Sequence, residues 1–120
     1  MTLTVGLLPD HKGITVPKAV GDEYVVDAHV KISVYHTADV VTATALGLKT
    51  ITAAIITGQS APDIEGETGV FIGAGLGTGV YASNTNMKLV LYNNDGDCLE
   101  LGNATNIDDL TVRLRVWGRL

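Results

Sequence analysis

Cationic and aromatic side chains are both scarce in this sequence. Eight lysines and arginines face thirteen aspartates and glutamates, and there are six aromatic rings in 120 residues. A formal charge of −5 opposes any binding mode that works by neutralising phosphates, so neither nucleic acid nor an anionic membrane is an expected partner. Six rings are too few for the stacking platforms that hold sugars or single strands. Cys98 is the one cysteine, which rules out an internal disulfide, and no base or cation beside it in sequence makes its thiol reactive. No apolar run approaches the ~18 residues that cross a bilayer. The opening residues show no basic segment followed by an apolar one, and we therefore expect synthesis in the cytoplasm.

Helical periodicity is missing too. No segment sustains apolar residues at a 3.6-residue spacing between caps; Ala43 to Leu48 has room for one turn before Gly47 interrupts it. What the chain has in quantity is β-branched residues, fourteen Thr, fourteen Val and eight Ile, which pack well on pleated surfaces. Alternation assigns the faces of two strands. Leu110, Val112, Leu114 and Val116 share one side, with Thr111, Arg113, Arg115 and Trp117 on the other. Over 28–36, Ala28, Val30, Ile32 and Val34 are expected inward and His29, Lys31, Ser33 and Tyr35 outward.

Further strands are expected at 2–8, 39–45, 48–57, 68–73, 87–93 and 98–102, bounded by Gly, Asn, Asp and Pro clusters. Asn94-Asp95-Gly96 between two apolar runs predicts a tight hairpin joining 87–93 to 98–102. About eight short strands at close spacing predict an all-β fold, an antiparallel β-sandwich of jelly-roll or Greek-key type. Prolines and glycines among charges in "GLLPDHKGITVPKAVGDE" and "TGQSAPDIEGETG" predict long loops. We accordingly divide the chain into an N-terminal arm and loop over 1–26 and a sandwich domain over 27–120.

Chemistry-bearing patterns are few. Glycines at 73, 75, 77 and 79 suggest a phosphate cradle, but the dinucleotide spacing G-x-G-x-x-G puts Thr78 or Val80 where its third glycine belongs. No Gly-Lys pair followed by Ser or Thr supplies the alternative phosphate loop, so we read the glycines as backbone devices in a strand or bend and expect no cofactor. His29 and His36 are seven residues apart on one strand, point to opposite faces and cannot share a metal there. No Ser sits in a nucleophile elbow. Asp63, Glu65 and Glu67 alternate in an extended acidic segment, which reads as a solvated loop; a calcium site or an acid pair completed by a histidine is the sharper alternative. No catalytic set emerges and we expect no enzyme. Arg113, Arg115 and Trp117 on one strand face in a neutral surround look like contact surface, because Arg keeps its fork in desolvated interfaces; Trp117 reads equally as a partner anchor if it faces outward and as a core residue if it faces inward.

Four features together resemble small β-rich virion proteins of tailed phages, in particular capsid decoration or cement proteins. They are "VTATALGLKTITAAIIT", the Gly-rich middle, the Asn-Asp-Gly hairpin and the closing "DDLTVRLRVWGRL". The likeness spans residues 28 to 120 and lies in composition and strand rhythm. It implies a protein of the virion's capsid surface that binds the major capsid protein, forms a homo-oligomer, a trimer by preference, and fastens neighbouring subunits. An arm around Leu3 to Val20, with Leu3, Val5, Leu7 and Leu8 as contacts, would then lie on a capsid subunit, adding a strand to its edge. The alternative reading is a tail- or fibre-associated adhesion module that uses the 58–67 and 74–86 loops to hold a glycan or ion.

Overall fold

The computed structural model describes residues 3–37, 39–59, 70–76, 84–93 and 99–120. In chain order the strands are β1 (Leu3–Leu7), β2 (Lys18–Val20), β3 (Glu23–Tyr35), β4 (Val41–Thr42), β5 (Thr50–Gln59), β6 (Val70–Leu76), β7 (Asn86–Asn93) and β8 (Thr105–Arg119). They form two antiparallel sheets. One runs β1-β3-β8-β5 with β2 also on β3, and the other runs β4-β7-β6. The chain changes sheet from β3 to β4, β4 to β5, β5 to β6 and β7 to β8, so the fold is wound around its core instead of meandering along one layer.

The core lies between the sheets. Val26, Ala28, Val30 and Ile32 of β3 and Leu110, Val112, Leu114 and Val116 of β8 are buried, as the period-2 pattern requires, and Val41, Met87, Leu89 and Leu91 close over them from the other sheet. The expected turn of helix is a 3₁₀ turn, Thr44–Leu46, ended by Gly47, and Leu46 and Leu48 plug one end of the core. The backbone N–H of Ile51 in β5 donates to the Asn84 carbonyl (2.8 Å), linking the two layers.

Three irregularities set faces that alternation alone assigns wrongly. The β3–β8 register shifts between Ile32 and Val34, so Tyr35, expected outward, is 3% exposed and core-facing, and Ile107 is buried three residues before Leu110. In β5 the register shifts between Ile51 and Ala53 and again between Ile56 and Gly58. Ile51 therefore points in with Ala54 and Ile56, while Ile55 is left 51% exposed. The Thr57 hydroxyl donates to the Arg113 carbonyl (3.3 Å), and Thr52 Oγ1 donates to Glu23 Oε2.

The division at residue 26 is corrected. β1 pairs with β3 from Leu3↔Ile32 to Leu7↔Ala28, and β2 pairs with β3 from Lys18↔Val25 to Val20↔Glu23. Leu3 is buried and Val5 and Leu7 pack against the core, so the first strand belongs to the sandwich and these side chains are not available as an arm's contacts. Gly21-Asp22 joins β2 to β3 as a two-residue hairpin loop with Gly21 at φ 64°, the geometry that places glycine at the first central position. The strand expected at 39–45 shrinks to Val41–Thr42. That expected at 98–102 is reduced to a Tyr92↔Glu100 bridge with a bond from Leu101 N–H to the Leu91 carbonyl. The predicted Asn94-Asp95-Gly96 turn lies outside the described residues.

Two glycines separate packing from propensity. A Cβ on Gly118 would stand 2.0 Å from the Thr50 carbonyl oxygen, whereas one on Gly58 would meet nothing within 4 Å. Gly118→Ala is expected to destabilise the fold by roughly 1–3 kcal/mol through overpacking. Gly58→Ala is expected to be neutral or stabilising by up to about 1 kcal/mol through the unfolded chain. Urea unfolding of both variants checks this; equal effects would refute the close approach of β8 to β5.

Candidate partner-binding face

Because β3, β5 and β8 bury one side, the odd-numbered residues of β3 and β8 stand together on the outer side of the five-stranded sheet. Cross-strand partnerships order them in rows. Val25, Trp117 and Ala53 form one row, with Lys18 beside Val25; Asp27, Arg115 and Ile55 form the next. Gly6, His29, Arg113 and Gly58 form the third, and Thr4, Lys31 and Thr111 the fourth. The structure thus brings Arg113, Arg115 and Trp117 onto one face, with both arginines exposed and Trp117 half-buried. Leu8 is half-buried, and its N–H donates to the Asp27 carbonyl (2.9 Å).

At the centre of the face Arg115 and Asp27 are directly opposed. Nε donates to Oδ1 at 2.9 Å and Nη2 to Oδ2 at 3.0 Å, a bidentate fork. The fork's hydrogen bonds hold the Asp27 carboxyl below the usual carboxylate range, with the Arg113 and Lys18 charges adding to the effect. Asp27 in turn raises the Arg115 guanidinium. Arg113 makes no side-chain ion pair or hydrogen bond to the described residues. One side of the row, Gly58, has no side chain; on the other, the His29 ring lies over Gly6, where a Cβ would meet Nε2 at 2.5 Å. The result is one arginine pre-ordered beside a tryptophan and a second ready to bond elsewhere.

Asp27 and Ile55 are the members of this face that sequence reasoning missed. The Asp27–Arg115 pair joins residues 88 positions apart, so no local spacing announces it, and Ile55 faces out only because of the β5 bulge. Alternation extended along β3 places Asp27 outward with His29; what it lacks is the register against β8.

The other candidates do not converge. His11 is exposed in the loop after β1, and His36 follows β3 with Nδ1 3.6 Å from Asp39 Oδ2. The Tyr35 hydroxyl donates to Glu100 Oε1 at 2.5 Å, and burial with that carboxylate raises its ionisation well above the ordinary range. The cavity beside it, lined by Leu3, Ile32, His36 and Asp39, is about 10 Å³, the space of one water at most. A cleft of about 60 Å³ next to Asp10 is also far below the several hundred Å³ of small-molecule sites. Asp10 clasps its own loop there. Oδ1 accepts from the N–H groups of Lys12 and Ile14, Oδ2 pairs with Lys18, and these bonds bring its carboxyl down to about 2. No group of three His, Cys, Asp or Glu side chains able to hold a metal occurs among the described residues. No helix among them is long and apolar enough to cross a membrane.

Gly73 and Gly75 lie in β6 opposite Val90 and Lys88, as strand residues. Gly77, Gly79, Cys98 and the Asp63, Glu65 and Glu67 segment lie outside the described residues, as does most of the 58–67 and 74–86 stretches. The chain matches no family model, no curated protein and no solved structure.

The Asp27–Arg115 pair sets a pH signature. A carboxyl depressed on folding contributes stability above its unfolded value near 3.9 and loses it as pH falls through the lower folded value. Asp27→Asn is expected to cost no more than about 1 kcal/mol at pH 7, since both partners are partly exposed. The difference from the unaltered chain should shrink progressively as pH falls below the unfolded value of about 3.9 in urea titrations; a difference that stays constant through the acid range would mean the carboxylate charge is not its source.

Proposed function

We propose that this chain is an assembly protein: a β-sandwich that binds other proteins through the outer face of its five-stranded sheet, as a capsid decoration protein on the outer surface of a phage head. The observation that supports this most directly is the composition of that face. All three arginines of the chain and its one tryptophan come from β8, and they stand beside an isoleucine that is half exposed. Arginine and aromatic residues are the types enriched where protein surfaces meet.

The mechanism follows from the arrangement. Trp117, in a row with Val25 and Ala53, offers a rigid apolar anchor. Arg115 is already held by Asp27, so ordering it in an interface costs little further entropy. Arg113 is free of described partners and can take a carboxylate or carbonyl of the major capsid protein. Each contact is weak, and many copies on one particle give the layer its hold through multivalency. A homo-oligomer, a trimer by preference, fits such a layer. The first strand plays no donor role in this scheme, since it completes the sheet of its own sandwich.

Co-sedimentation with capsid shells lacking their decoration layer tests the reading. The unaltered chain should sediment with the shells. Arg113→Glu and Trp117→Ala are each expected to weaken binding by at least about tenfold, the scale of one hot-spot residue. Circular dichroism melting checks that Arg113→Glu remains folded. Absence of binding by the unaltered chain would remove the capsid assignment, and full binding by both variants would remove this face.

A further inference from the structure

Residues 9–20, between β1 and β3, form a strap that buries little of itself. Asp10, Thr15 and Pro17 are half-buried and the rest are exposed, with Ile14 at 43%, Val16 at 65% and Val20 at 56%. The strap is fastened to the sandwich at its ends. Leu8 N–H donates to the Asp27 carbonyl at one end, and three partnerships from Lys18↔Val25 to Val20↔Glu23 lay β2 on β3 at the other. Pro17 rests where a Cβ on Gly47 would stand, 3.4 Å from it. Between those ends the strap is tied to itself through Asp10. Oδ1 accepts from the N–H groups of Lys12 (2.8 Å) and Ile14 (3.0 Å), Oδ2 pairs with Lys18, and the Gly13 N–H donates to the Asp10 carbonyl (2.9 Å). Beneath lies the cleft of about 60 Å³, with Pro9, Ile14 and Val16 on the strap side and Val25, Val26 and Asp27 on β3.

We infer that residues 9–20 are a lid that swings off β3 as one unit while the sandwich stays folded, with the Asp10 carboxylate as its latch. Two features separate the lid from the body. Local opening is easiest where few apolar contacts are buried, and β2 is exposed at all three positions. Opening also leaves β3 paired, because its other edge holds β8 from Tyr24↔Gly118 to Ile32↔Leu110 without help from β2. The latch makes the lid one unit. One carboxylate bonds both the 10–14 turn and Lys18 of β2, so loosening either end removes bonds from the other.

The lid adjoins the proposed partner face. Lys18 belongs both to the latch and to the row of Val25, Trp117 and Ala53, and Asp27 of the arginine fork walls the cleft. Opening therefore withdraws a cation from that face and uncovers the edge of β3 behind it, so lid closure and partner binding are linked, each favouring the other. This link rests on the assembly reading; the lid itself does not.

Amide hydrogen exchange of the full chain at pH 7, compared with its Asp10→Asn variant, tests the lid. The variant should exchange the amides of 12, 14 and 18–20 at least about fivefold faster, the scale of one hydrogen bond's net contribution, with those of 26–32 and 110–116 unchanged. Asp22→Asn makes the same change of charge in the β2–β3 turn and should leave all of them unchanged. Amides 18–20 as slow as 26–32 in the unaltered chain would overturn the lid, as would no effect of Asp10→Asn, equal acceleration of 26–32, or acceleration at 12 and 14 alone. In co-sedimentation, Asp10→Asn should weaken capsid-shell binding at least about twofold. A faster lid with full shell binding removes the link to the face, whereas shells that fail to bind the unaltered chain remove the assembly reading and leave the lid standing.

Discussion

Residues 24–35 and 105–118 lie near opposite ends of the chain, and eleven backbone partnerships hold them side by side as β3 and β8. Everything else is attached to this ladder. β1 and β2 add to the outer edge of β3, β5 adds to the outer edge of β8, and the β4-β7-β6 sheet covers the apolar side that the pair presents. Such a pairing is slow to form, because the chain must close a long loop before any contact rewards it. Once formed it fixes two surfaces together: a face of Val, Leu, Ile and Ala that must be buried, and a reverse face carrying the arginines and the tryptophan.

The binding face is thus a by-product of the core. A one-residue slip between β3 and β8 would send Val112, Leu114 and Val116 outward and separate Asp27 from Arg115 at the same stroke. The bulges in β5 act in the same way on a smaller scale. They keep Ile51, Ala54 and Ile56 on the core while releasing Ile55 to stand beside Arg115. Structure and surface chemistry are coupled through register, so the interface proposed for β8 needs no loop to present it.

How much of this can be read in the sequence follows from the range of the interactions. Strand identity is a local property of β-branched residues and period-2 spacing, and β1, β3, β5, β6, β7 and β8 all overlap segments expected from it. The inward set Leu110, Val112, Leu114 and Val116 and the outward Arg113 and Arg115 are legible for the same reason, whereas the half-buried Trp117 shares their face but reads from sequence as either anchor or core. Alternation puts Tyr35 on the wrong face because a register shift is a property of two strands, invisible in either one. The 1–26 division fails because proline and glycine punctuation outweighs a short strand, although Gly21-Asp22 after an apolar residue is itself a hairpin signal. The Asp27–Arg115 fork has no sequence signature at 88 residues' separation.

Amide hydrogen exchange read residue by residue by NMR tests the dependence on the β3–β8 ladder most directly. If the ladder is the last unit to open, the amides of 26–32 and 110–116 exchange only through global unfolding and are the slowest in the protein, with β1, β2, β5 and the β4-β7-β6 sheet opening at equal or lower free energy. Faster exchange in β3 and β8 than in β6 and β7 would contradict this account.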